Sequence, residues 1–154
     1  MDLLLELKNL ISKFQQSEID YALCGGLAMA IYARPRATLD IDMMIEEDSL
    51  PKAKEALAEI GFSLLSDAMS FHDNKVKIQR LTKIDTDSEE HLSLDLLIVT
   101  PETCSAWDSR HTVEWEDGPL KVVSPKGLIL LKSFRKSGQD QDDIAYLRSI
   151  IDEN

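Results

Sequence analysis

The sequence predicts an α/β (α+β) fold, a mixed β-sheet flanked by helices, on three observations. Apolar residues recur at helical spacing near both ends of the chain, at Leu4, Leu7, Ile11 and Phe14 and again at Ile144, Leu147, Ile150 and Ile151. Between these ends lie short runs with the two-residue alternation of strands, foremost Thr38 to Ile45 and His91 to Val99. The run Tyr21 to Cys24 meets Gly25-Gly26 and then a helix-forming stretch, the pattern of a strand turned tightly into a helix. At 154 residues the expectation is one domain over 1–154, with a core of about 17–123 and a helical C-terminal part of about 124–154.

Each element has its own warrant. The first helix runs from Leu3 to Phe14 on its apolar stripe, and a second covers Leu27 to Tyr32 until Arg34-Pro35-Arg36 breaks it, since proline disfavours helical geometry in the residue before it. Ser49-Leu50-Pro51 offers a cap and an early proline for a helix over Lys52 to Ile60, stopped by Gly61. Phe62 to Leu65, Lys75 to Leu81 and His91 to Val99 read as strands separated by polar segments. Thr112 to Trp115 and Leu120 to Val123, split by Glu116-Asp117-Gly118-Pro119, read as a hairpin. Ser124-Pro125 caps a helix through Leu128, Leu131 and Phe134, which Ser137-Gly138 can end, and a last helix carries the C-terminal apolar stripe.

Composition narrows the class of function. Seventeen Lys and Arg against 28 Asp and Glu give a net charge of -11, which is opposite to the broad basic surface of a non-specific nucleic-acid binder and compatible with divalent cations. Acids interrupt the apolar residues at the N-terminus and no other apolar run is long enough to span a bilayer, so neither a signal peptide nor a membrane partner is expected. Cys24 and Cys104 stand far apart without a metal-binding or disulfide spacing, so the expected compartment is the reducing cytoplasm. His72, His91 and His111 show no ligand spacing either and read as surface or sheet-edge groups.

The chemistry concentrates in three acids. Strand alternation puts Asp40 and Asp42 on one face while Leu39, Ile41 and Met43 take the other. Two residues of rise separate the two acids by roughly 6.6 Å, a repulsion of about 2.5 kcal/mol at an effective dielectric near 20, which a bound cation would relieve. Leu92, Leu94, Leu96 and Ile98 likewise share one face of their strand, and Ser93 and Asp95 the other. If the two strands are neighbours, three carboxylates meet in the hard oxygen environment that magnesium prefers. Gly25-Gly26 leaves backbone N–H groups uncovered at a helix start, where phosphate binds, although a double glycine also serves as a plain turn, and alternating acids also occur on solvated strands.

Taken together, Gly25-Gly26, then Arg36-x-Thr38-x-Asp40-Ile41-Asp42, then a single later Asp95 in a strand resemble the nucleotidyltransferase superfamily that includes DNA polymerase beta. The nearest likeness is to the small bacterial branch of AbiEii toxins and lincosamide or aminoglycoside nucleotidyltransferases. Lys132-x-x-Arg135, Gln139-Asp140 and Asp143-Ile144 extend it into the C-terminal helices, with Gln139 where that branch places a lysine.

The resemblance implies the nucleotidyltransferase fold with C-terminal helices, and two magnesium ions held by Asp40, Asp42 and Asp95. It implies a nucleoside triphosphate bound by Gly25, Gly26, Arg36, Thr38 and Lys132, with Asp95 accepting a proton. The expected activity is transfer of a nucleoside monophosphate to a hydroxyl or phosphate acceptor, whether tRNA, protein or small molecule. The alternative is a non-catalytic member that binds a nucleotide or a partner, as in a toxin–antitoxin module.

Other readings stay open or fall away. Lys132 also fits a lysine extending from a core helix to solvent, Arg36 and Thr38 a turn, and Trp107 and Trp115 either base stacking or core packing. Lys75, Lys77, Arg80 and Lys83, with Arg34 and Arg36, form the densest basic segment, either a steering surface or a charged strand face. A haloacid-dehalogenase-like Asp-x-Asp is disfavoured, because Arg36-Ala37-Thr38 precedes the pair and Met44 follows it. Phosphate loops of the G-x-x-x-x-G-K-[ST] kind and serine-hydrolase elbows do not occur.

Overall fold

A computed structural model describes residues 2–32, 40–116, 118–134 and 138–153, with backbone alone at 138–139 and 152–153. Helix α1 (Leu3–Gln16) is started by the Asp2 carboxylate, which accepts from the N–H groups of Leu4 and Leu5, and it buries Leu7, Ile11 and Phe14 of the predicted stripe together with Leu10, while Leu4, in the first turn, stays exposed. Strand β1 (Ala22–Cys24) is buried throughout and runs with no intervening residue into α2 (Gly25–Ile31), so the helix begins at the first glycine rather than after the second. Strand β2 (Asp40–Ile45) carries the acids. Arg34, Pro35, Arg36, Thr38 and Leu39 lie outside the described residues.

Helix α3 (Leu50–Ala58) departs from expectation at its start. Ser49 makes no capping bond, because it ends a 3-10 turn over Glu47–Ser49 and already has helical geometry. Gly61, with φ +100°, turns the chain into β3 (Phe62–Leu65). Then come β4 (Met69–Phe71), β5 (Val76–Asp85) and β6 (Glu90–Ile98). Strand β4 falls in a stretch whose polar residues read as a separator. Three consecutive non-glycine residues with positive φ, His72, Asp73 and Asn74, fold it back onto β5.

Helix α4 (Cys104–Asp108), too short to show a periodic pattern, buries Ala106 and Trp107, which places Trp107 in the core. Strands β7 (His111–Trp115) and β8 (Gly118–Val122) form the expected hairpin. Helix α5 (Pro125–Ser133) is capped by the Ser124 hydroxyl accepting from the Gly127 N–H. It stops at Ser133, short of the expected Ser137-Gly138, and Gly138 is instead the first residue of α6 (Gly138–Glu153).

The described strands form one mixed sheet in the order β3-β5-β6-β2-β1-β8-β7, with β4 paired to β5 off that path. The pairs β2/β6 and β1/β8 are parallel and the others antiparallel. Ile41, Met43 and Ile45 of β2 and Leu92, Leu94, Leu96 and Ile98 of β6 join Leu10, Phe14 and Leu57 in a single apolar cluster. The opposite face of the same two strands carries the acids, with Met44 and Leu97 following them along it. Among the described residues no helix is long and apolar enough to cross a membrane.

Candidate active site

The parallel register of β2 and β6 sets Asp42 directly beside Asp95 and Asp40 beside Ser93. Paired residues of adjacent strands point to one face, and Asp40 stands two residues from Asp42, so all three carboxylates share that face. The rung through Asp42 continues outwards: Cys24 of β1 pairs with Asp42, and Arg80 of β5 pairs with Asp95. One line across four strands thus reads Cys24, Asp42, Asp95, Arg80. Adjacent strands lie about 4.8 Å apart, so two carboxylates on neighbouring strands repel by about 3.5 kcal/mol at an effective dielectric near 20.

These residues line a cavity of about 480 Å³ together with Gly25, Gly26 and Lys132. Apart from His72, its remaining wall is apolar, built by Phe71, Val76 and Ile78 from the β4–β5 hairpin, Leu97 of β6, and Leu128, Leu131 and Phe134 of the α5 segment. His72 fastens the hairpin tip to the end of α5, its Nε2–H donating to the Phe134 carbonyl at 2.7 Å with the two rings 5.8 Å apart.

Gly25 adopts φ +69°, and a Cβ there would stand 2.2 Å from Oδ2 of Asp42. The glycine is therefore required sterically: the Asp42 carboxylate occupies the space that any side chain would fill. Cys24, next to it, is fully buried. Burial first, then the carboxylates of Asp42 and Asp95, push its thiol well above the ordinary cysteine value, with Lys132 opposing them, so it is a protonated thiol and not a nucleophile.

Arg80 grips Asp95 through both carboxylate oxygens, Nε to Oδ1 at 2.7 Å and Nη2 to Oδ2 at 3.0 Å. That hydrogen bonding raises the guanidinium further above its already high value, with the Asp95 charge adding to it and smaller contributions from Asp40 and Asp42. Sequence reading placed Arg80 in a general basic segment and missed this pairing, which depends on the β5/β6 register. Of the segment's other members, Lys83 pairs with the buried Glu6 at 2.9 Å and Lys77 approaches Glu47 at 3.9 Å.

Lys132 does not reach solvent. It is 4% exposed, and its ammonium sits 3.0 Å from Asp143 and 3.8 Å from Asp140 of α6, both buried. The lysine edges the cavity and at the same time joins α5 to α6. Arg36 and Thr38 lie outside the described residues, as do Arg135 and the side chain of Gln139.

In donor chemistry the site suits magnesium: three carboxylates from two adjacent strands, one of them seated against a glycine, form an all-oxygen set on one face. Among the described residues, however, no three His, Cys, Asp or Glu side chains are gathered closely enough to hold an ion as they stand. Both oxygens of Asp95 face Arg80.

The fold recurs in known proteins. A Thermotoga maritima protein provisionally assigned as a nucleotidyltransferase superposes with a TM-score of 0.60 at 14% identity over 98% of this chain and 93% of that one. ANT(2'')-Ia, solved with adenylyl-2''-tobramycin, gives 0.58 at 12% identity over 92% and 85%. JHP933 from Helicobacter pylori gives 0.52 at 18% identity over 96% of this chain and 66% of its own length. No curated protein sequence matches. The model of the aminoglycoside-2''-adenylyltransferase family matches residues 6–104, a span that holds the glycine pair and all three acids, and the chain therefore belongs to that family of nucleotidyltransferases.

Proposed function

We propose that the chain is a magnesium-dependent nucleotidyltransferase that moves a nucleoside monophosphate from a triphosphate to an acceptor hydroxyl, with ATP the first donor to test. The observation that carries this reading is the shared face of Asp40, Asp42 and Asp95 beside the Gly25-Gly26 turn in one cavity. The family's name and the adenylylated tobramycin bound to ANT(2'')-Ia support adenylate as the group moved.

In this reading Asp40, Asp42 and Asp95 would hold magnesium at the triphosphate end of the cavity, and the metal when bound would draw charge from the α-phosphate and from the departing pyrophosphate. Gly25 and Gly26 leave room for phosphate oxygens near backbone N–H groups, and Lys132, steadied by Asp143, offers ammonium hydrogens at the cavity edge. Arg36 and Thr38 are assigned to the same phosphates on the family resemblance. Asp95 orients the acceptor hydroxyl and takes its proton as the oxygen attacks the α-phosphorus. The apolar wall around Phe71, Leu131 and Phe134 excludes water from the reacting phosphate.

The test is incubation with magnesium and each α-labelled triphosphate, offering pooled RNA, proteins and aminoglycosides as acceptors. Label should pass to one acceptor class, and Asp40→Asn should reduce the rate by roughly a thousandfold, since bound metal supplies several kcal/mol of transition-state stabilisation. Nucleotide binding without transfer to any acceptor would point to a binding module in place of an enzyme.

A further inference from the structure

The Arg80–Asp95 pair sits where the proposed chemistry needs a free carboxylate. Resting on the reading of Asp40, Asp42 and Asp95 as a metal site, we propose that Arg80 is a built-in counter-cation for Asp95, exchanged for the divalent ion when a nucleotide enters and then turned onto the triphosphate.

The geometry has three parts. Arg80 and Asp95 are directly opposite one another in antiparallel strands, so their pairing is imposed by the ladder and not by a chance surface encounter. The fork is two-pronged and takes both oxygens of the carboxylate. The partners are unequal in freedom: the Asp95 side chain is 14% exposed and fixed on an inner strand, whereas Arg80 is 40% exposed and has solvent to move into.

The charges fit such a role. Without a cation, Asp42 and Asp95 stand side by side on one rung, and a neighbouring guanidinium offsets their repulsion. When a divalent ion takes the site, a cation in contact with Asp95 becomes unfavourable by the same reasoning. An incoming triphosphate offers that guanidinium equivalent partners, because phosphate oxygens accept the same two-pronged bond. Arg80 lines the same cavity as Gly25 and Gly26, so the transfer needs no movement of a strand. The device would make metal and nucleotide bind together instead of separately.

The consequence is a crossed pair of effects, read by manganese titration followed by paramagnetic resonance. For manganese alone, Arg80→Gln should bind about tenfold more tightly than the unaltered chain, because one positive charge has left the site. For manganese with a non-hydrolysable ATP analogue, the same variant should bind more weakly, because the phosphate partner is lost. Arg80→Lys, which keeps the charge but not the fork, should leave the manganese affinity near that of the unaltered chain and still weaken the analogue complex.

Unchanged or weaker manganese binding in Arg80→Gln, with its melting temperature preserved, would overturn the exchange and leave Arg80 as a strand-pairing residue. If the unaltered chain and Asp40→Asn bind manganese equally well, the metal-site reading itself fails, and the exchange with it.

Discussion

At Gly25 the sequence reading and the structure give different reasons for the same residue. The double glycine was read as room for phosphate, whereas the first demand on Gly25 comes from within the chain, where Asp42 fills the space beside its Cα. Gly25→Ala meets both a positive φ and a contact of 2.2 Å, each of them unfavourable. A loss of about 2–4 kcal/mol is expected from strain and overpacking combined. Thermal unfolding will show it. An unchanged melting temperature in Gly25→Ala would refute this assignment.

Lys132 is the second residue whose meaning changes with its surroundings. Its place in an apolar helix left open whether it met nucleotide phosphates or extended to solvent, since periodicity on one helix says nothing about the next. The aspartates that hold it come from α6, and the 3.0 Å contact with Asp143 is fully enclosed. Lys132→Met keeps the length of the side chain and takes the ammonium away from two buried carboxylates. A loss of about 3–5 kcal/mol is expected, measurable by chemical denaturation. Rescue by an accompanying Asp143→Asn would show that the cost lies in the broken pair.

At the scale of elements, the acids were legible because strand alternation has a fixed period. Asp40 and Asp42 had to share a face, and so did Ser93 and Asp95. That β2 and β6 are neighbours and parallel was not legible, since partner choice depends on distant parts of the chain, and the structure supplies it. Arg80 was lost for the same reason. Strand β4 and helix α4 escaped notice because three and five residues are too few to show a period. The error at α5 is different: Ser137-Gly138 looked like a helix stop, but a glycine at a helix boundary does not say which helix it bounds, and here it opens α6.

The link between β1 and the far hairpin gives a prediction in pH. Asp20, just before β1, receives Nη2 of Arg110 at 2.7 Å and also bonds Lys121 of β8, while Arg110 stacks 3.9 Å over Trp107. Burial raises the Asp20 carboxyl, but the hydrogen bonds from Lys121 and Arg110 outweigh it and the net shift is downwards. A carboxylate with a lowered folded value contributes its stability fully above the unfolded value, about 3.9, and loses it as pH falls through the folded one. Asp20→Asn should therefore flatten the acid side of the melting-temperature profile. Near neutral pH it should cost about 1 kcal/mol or less, the pair being partly solvated. An unchanged acid limb would show that the network carries no net stability.

Across the whole molecule, one sheet divides the work between its faces. The face of Ile41, Met43, Leu94 and Leu96 joins the core against α1 and α3, and the other face gathers the acids under α5. A net charge of -11 would oppose binding of a triphosphate alone, which is the reason a cation is central to the account. The most direct measurement is a crystal structure with manganese and a non-hydrolysable ATP analogue, with the metals located by anomalous scattering. The account predicts manganese in contact with Asp40, Asp42 and Asp95 and phosphates beside Gly25 and Gly26. Manganese bound elsewhere, with Asp95 still held by Arg80 and the analogue absent from the cavity, would contradict it.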